Sequence, residues 1–149
     1  MQRSGEVRQM RYQALNLDEK MWQLESEETK NRTMHRVPIN DYVVEIIHKV
    51  AKYTQGSKYV FGATKLYFAP KEPLSDLVPY DKASIPKFLR KNLNDLGVEN
   101  ITPHDLRRTG ATWITAVGVP KFYSTLMLNH TAVDKDVTGE VYVQYAYDF

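Results

Sequence analysis

The stretch "TPHDLRRTGATWIT", residues 102–115, sets a threonine, a proline, a histidine and two arginines ahead of an apolar run. Threonine is a helix-capping residue type, and proline is tolerated at a first helical position because that N–H has no intrahelical partner. The pattern predicts a helix starting at Pro103, with His104 and Arg107 three residues apart on one face of its opening turn. A helix start presents unpaired N–H groups and partial positive charge, which favour a phosphate. Arg107 would add a two-pronged clamp that a lysine could not supply. The competing reading is a partly buried His104, with Arg107 paired to Asp105 or Glu99. An H-x-x-R alone does not choose between them.

Outward from this helix the chain reads as mostly α with a small antiparallel β-sheet. "RSGEVRQMRYQAL" (3–15) places Val7, Met10 and Leu15 at helical spacing. "MWQLE" (21–25) and "HRVPI" (35–39) alternate as strands, and the polar connector "SEETKNRTM" makes 21–39 a small sheet edge. In "NDYVVEIIHKVAKYTQG" (40–56), Asn40 or Asp41 caps a helix whose stripe is Val43, Ile46, Ile47 and Val50, and Gly56 stops it. Residues 57–80 carry loop signals around "KYVFG". Further helices are expected over 81–96, ended by Gly97, and over 119–130 after Gly118. A last short helix is expected in "DVTGEVYVQYAYDF" (136–149).

At 149 residues the chain has the size of one domain, and a chain of this length buries about 70% of its unfolded surface. There is no cysteine, which removes disulfides, thiolate nucleophiles and cysteine-based zinc sites. No apolar run reaches the roughly 20 residues of a membrane helix, and no secretory signal is visible. The expectation is a soluble, cytoplasmic protein. Net charge is only +2, but its distribution is uneven. Lys82, Lys87, Arg90, Lys91, Arg107 and Arg108 face three acids in one stretch, whereas Asp134, Asp136, Glu140 and Asp148 dominate the tail. This asymmetry suits one face for an anionic partner, although small clusters of charge also occur as solvated surface.

Four further features change the weight of "HDLRR". Arg3 stands in "QRSGEV" before a helix, and Lys30 stands in "ETKNRTMHRVPI" between two strands. His130 closes "LMLNH", and Tyr142 follows twelve residues later in "VTGEVYVQY". Arg, Lys, His-x-x-Arg, His and Tyr in this order, from Arg3 to Tyr142, resemble the catalytic domain of the tyrosine recombinases, the phage integrase family. Each motif is weak by itself; the ordered set is specific.

The resemblance implies a fold, that of the tyrosine recombinase catalytic domain, and a chemistry. Phosphodiester cleavage without a metal needs a nucleophile, an acid for the leaving oxygen and positive charge on the phosphoryl oxygens. Tyr142 would attack the scissile phosphate and form a 3′-phosphotyrosine bond. Arg3 and Arg107 would hold the non-bridging oxygens, Lys30 would protonate the departing 5′ oxygen, His104 would assist proton transfer and His130 would bond the phosphate. Glu6 would orient Arg3. Tyr145 and Tyr147 are read as docking surface, and His35 and Arg36 as ordinary hairpin residues. No cofactor or metal is expected, because no histidine pair or carboxylate set has zinc spacing.

The implied function is site-specific recombination, integration or excision of a mobile element, on double-stranded DNA, with a tetramer in the parent protein. Two alternatives stay open: DNA relaxation of the type IB topoisomerase kind, and a DNA-binding or assembly module without turnover. The gap from His130 to Tyr142 exceeds the family's usual spacing by a few residues in "TAVDKD". That leaves open whether the tyrosine acts in its own site or a neighbour's. The expectation is that 1–149 is a catalytic-domain fragment, without the N-terminal DNA-clamping domain and the start of its first catalytic helix.

Overall fold

In the computed structural model, which describes residues 2–63 and 77–129, the core forms where a three-stranded sheet meets one long helix. The strands are β1 (Leu15–Asn16), β2 (Met21–Leu24) and β3 (His35–Pro38), in the order β1-β2-β3 and all antiparallel. Alternation sets which side chains enter the core. Trp22 pairs with Val37 and Leu24 with His35, and all four are buried. Against them packs α2 (Asp41–Thr54), which contributes Ile47, with Val43, Val44 and Val50 partly buried at helical spacing. Met10, Ile39 and Val60 complete the cluster.

The ends of α2 follow the sequence signals. The Asn40 side chain accepts a hydrogen bond from the Val43 N–H at 3.0 Å, and Gly56 lies just past the end with φ of 100°. At the inner end, the Thr54 hydroxyl donates to the Val60 carbonyl at 2.9 Å and meets the Tyr12 hydroxyl at 2.8 Å.

The expected helix over 3–15 is corrected to a single short one, α1 (Ser4–Arg8). Beyond it the backbone pairs with a distant segment: Val60 N–H donates to the Met10 carbonyl and Tyr12 N–H to the Lys58 carbonyl. A 3-10 turn over Tyr12–Ala14 and then β1 follow. Val7 and Met10 do reach the core, but tertiary pairing of 10–12 replaces the helical bonds. Within the expected loop over 57–80, β4 (Gly62–Ala63) and β5 (Val78–Pro79) form a two-stranded antiparallel pair.

Among the described residues of the second half stand the helices α3 (Ser84–Asn94), α4 (Pro103–Ala116) and α5 (Lys121–Met127), with α4 packed on both neighbours. The first starts three residues later than expected, and the last is shorter than 119–130. Gly97 and Gly118 follow α3 and α4 with φ of 72° and 85°, the left-handed region open to glycine. The helix expected in the tail lies outside the described residues.

Candidate active site

The stretch that began the argument folds as its capping signals require. Thr102 caps α4, its hydroxyl accepting from the Asp105 N–H at 3.3 Å, while Asp105 accepts from the Thr102 N–H at 3.0 Å. This reciprocal box satisfies two donors at the helix start. It also sets a carboxylate there, and bonds from Thr102 hold the Asp105 carboxyl below its ordinary pKa. The anion-binding character expected of this helix end is thus met from within. Arg108, not Arg107, lies near Asp105, at 3.7 Å.

Arg107 stands one turn further in and is buried at 6% exposure. It heads the inward stripe of α4, continued by the partly buried Gly110, Ala111 and Ile114. Its Nη2 donates to the carbonyl of Leu128, at the end of α5. Burial, then the neighbouring charge of Arg3, lower the pKa of its guanidinium, while Glu6 opposes them. His104 is exposed on the neighbouring side of the same turn.

Arg3 arrives from the other end of the chain, as the residue before α1. Its Nη1 donates to Glu6 Oε1 at 2.8 Å and its backbone N–H to Glu6 Oε2 at 2.9 Å, which fixes the guanidinium. Glu6 is buried at 6% exposure. Arg3 Nη2 reaches the Asn129 carbonyl at 3.4 Å. The same carbonyl accepts from Asn31 Nδ2 at 2.5 Å, and the Met127 carbonyl accepts from Gln2 Nε2 at 2.9 Å.

One physical cause gathers these groups. The last carbonyls of a helix have no intrahelical partner and carry partial negative charge. Asn129, with φ of 47°, takes the left-handed conformation that terminates α5 and turns those carbonyls outward. Arginine and amide donors from α1, α4 and the β2–β3 connection converge on them.

Of the six residues singled out from the sequence, the structure brings Arg3 and Arg107 together at the turn immediately before His130. Lys30 is exposed in the β2–β3 connection, next to the Asn31 that bonds this turn. His130 and Tyr142 lie outside the described residues. His35, read as a hairpin residue, does stand in the β2–β3 hairpin, opposite Leu24. It is buried at 3% exposure, hydrogen-bonds the Met127 backbone, and lies within electrostatic reach of Glu6, Arg107 and Arg3. The signal was present in "HRVPI", where alternation puts His35 on the same side as Val37 and Ile39. A cavity of about 840 Å³ lies against the other face of the sheet, lined by Gln23, Arg36 and Pro38 among others, and neither Arg3 nor Arg107 lines it. Among the described residues no histidine or carboxylate cluster could hold a metal ion, and no helix is long and apolar enough to cross a membrane.

The model of the phage integrase family matches residues 1–147, and the chain belongs to that family. Among solved structures, the crystal structure of XerA recombinase matches with a TM-score of 0.69 at 20% identity. The match covers 97% of this chain and 53% of that one, so this chain spans about half the length of that recombinase. At this identity the likeness establishes the fold. No curated protein matches the chain in sequence.

Proposed function

We propose that residues 1–149 act as the catalytic domain of a tyrosine recombinase that cuts and rejoins double-stranded DNA through a 3′-phosphotyrosine intermediate. The observation that carries this reading is the convergence of Arg3 and Arg107, 104 positions apart by their numbers, on the turn that leads into His130. A scissile phosphate needs two such guanidiniums where charge develops on its non-bridging oxygens. The carbonyls of the α5 turn hold the pair in position before any phosphate arrives. Tyr142 is the nucleophile in this reading, Lys30 the acid for the leaving 5′ oxygen, and His104 and His130 the proton-handling and hydrogen-bonding histidines. The proposed setting is the cytoplasm, with integration or excision of a mobile element as the outcome and a tetramer on DNA.

Suicide DNA, nicked so that the cut end diffuses away, tests this directly. A denaturation-resistant protein–DNA adduct that disappears with Tyr142→Phe and persists with Tyr145→Phe is the expected result. Adduct formation that survives Tyr142→Phe would remove that residue from the role.

A second reading is a DNA-binding or assembly module without turnover, favoured by the burial of Arg107 and its bond to the Leu128 carbonyl. In that case Arg107→Ala would lower stability and leave both DNA affinity and the adduct assay unchanged.

A further inference from the structure

His35 opens β3, opposite Leu24 in the ladder, yet its ring faces the polar cluster and is not part of the apolar one. Groups from three helical segments act on it: Glu6 of α1 with Arg3 just before it, Arg107 of α4 and the Met127 backbone of α5. Four residues earlier in the same connection, Asn31 bonds the Asn129 carbonyl. The β2–β3 segment therefore grips the α5 turn at two points, Met127 and Asn129, which bracket the Leu128 carbonyl taken by Arg107.

Burial opposes protonation of His35 most strongly, Glu6 and the Met127 bond favour it, and the two arginines oppose it. The ring is held neutral at ordinary pH. A neutral ring can donate to the turn without placing a third positive charge beside Arg3 and Arg107. We propose that His35 is a positioning residue of the anion pocket, tying the α5 turn to β3 and so fixing the point on which Arg3 and Arg107 converge. This rests on reading the pocket as a phosphate clamp, but not on strand cleavage.

The test uses the whole chain with inorganic phosphate as the probe, following the Arg107 Nε–H signal by NMR. His35→Leu should weaken phosphate binding about tenfold. His35→Asn, which keeps a neutral N–H donor, should recover it to within roughly threefold of the wild type. Unchanged binding in His35→Leu, or equal weakening in both variants, would overturn the proposal. Should His35→Leu fail to fold, the wild-type ring decides through its ¹⁵N shifts. Phosphate beside the two arginines must raise the pH at which His35 takes up a proton, and a titration indifferent to phosphate overturns the role. A clamp that behaves as expected in a chain forming no adduct on suicide DNA supports this inference and removes the cleavage reading. An adduct in a chain whose Arg107 and His35 ignore phosphate does the reverse.

Discussion

Glu6 is a buried carboxylate that holds Arg3 through both its oxygens and lies within electrostatic reach of Arg107 and His35. Glu6→Gln keeps the shape but leaves two guanidiniums close together without their counter-charge. A loss of about 1–3 kcal/mol is expected, read from urea denaturation. Because Glu6 favours the protonated ring, the same substitution should push the His35 pKa further down, read by NMR titration. The depressed pKa also has a consequence for stability. The unfolded chain takes up the proton near pH 6.5 while the folded chain does not, so His35's contribution is full above about pH 6.5. It is lost as pH falls from there toward the folded-state pKa. His35→Asn should therefore show a shallower decline in stability as pH falls below about 6.5 than the wild type, measured by thermal melts across that range.

At the scale of elements, caps and glycines decide where helices begin and stop. Asn40→Ala removes the bond to the Val43 N–H and should cost about 1 kcal/mol, measured as a fall in the denaturation midpoint. Gly118→Ala forces a side chain into a left-handed conformation after α4 and should cost about 1–2 kcal/mol on the same measurement. These two helices were legible in the sequence because their signals are local: Asn40 and Gly56 around α2, Thr102, Pro103 and Gly118 around α4. The segment after α1 was not, since Met10 and Tyr12 take their backbone partners from 58–60, which no periodicity in 3–15 can announce. The two-residue strands β1, β4 and β5 were missed for the same reason, being defined by what they pair with. The site divides likewise. Order of motifs made Arg3 and Arg107 legible, whereas His35 was hidden in a strand whose alternation pointed inward all along. That Arg107 would bond the end of α5, while Asp105 closed the start of its own helix, depended on packing between helices that are separate in sequence.

For the whole molecule, the modest net charge conceals an uneven surface. Lys87, Arg90 and Lys91 are exposed along α3, with Lys82 and Arg108 exposed nearby in sequence. If this face lies along a DNA backbone, affinity for a duplex must fall steeply with salt as counterions are released. Replacing Lys87 and Arg90 together with alanine should reduce the slope of log affinity against log salt by about 2, from roughly 0.9 per lost contact. A slope that does not change would place the DNA elsewhere. The bonds from Gln2 to Met127 and from Arg3 to Asn129 join residues 125 and 126 positions apart. Closing so long a loop is slow compared with forming a helix or a hairpin. During synthesis, Arg3 leaves the ribosome well before Asn129 and must wait for the residues between them before its partner turn exists. The convergence of Arg3 and Arg107 on that turn is consequently a late event in the life of each molecule, and a nascent chain that stops short of Asn129 lacks it.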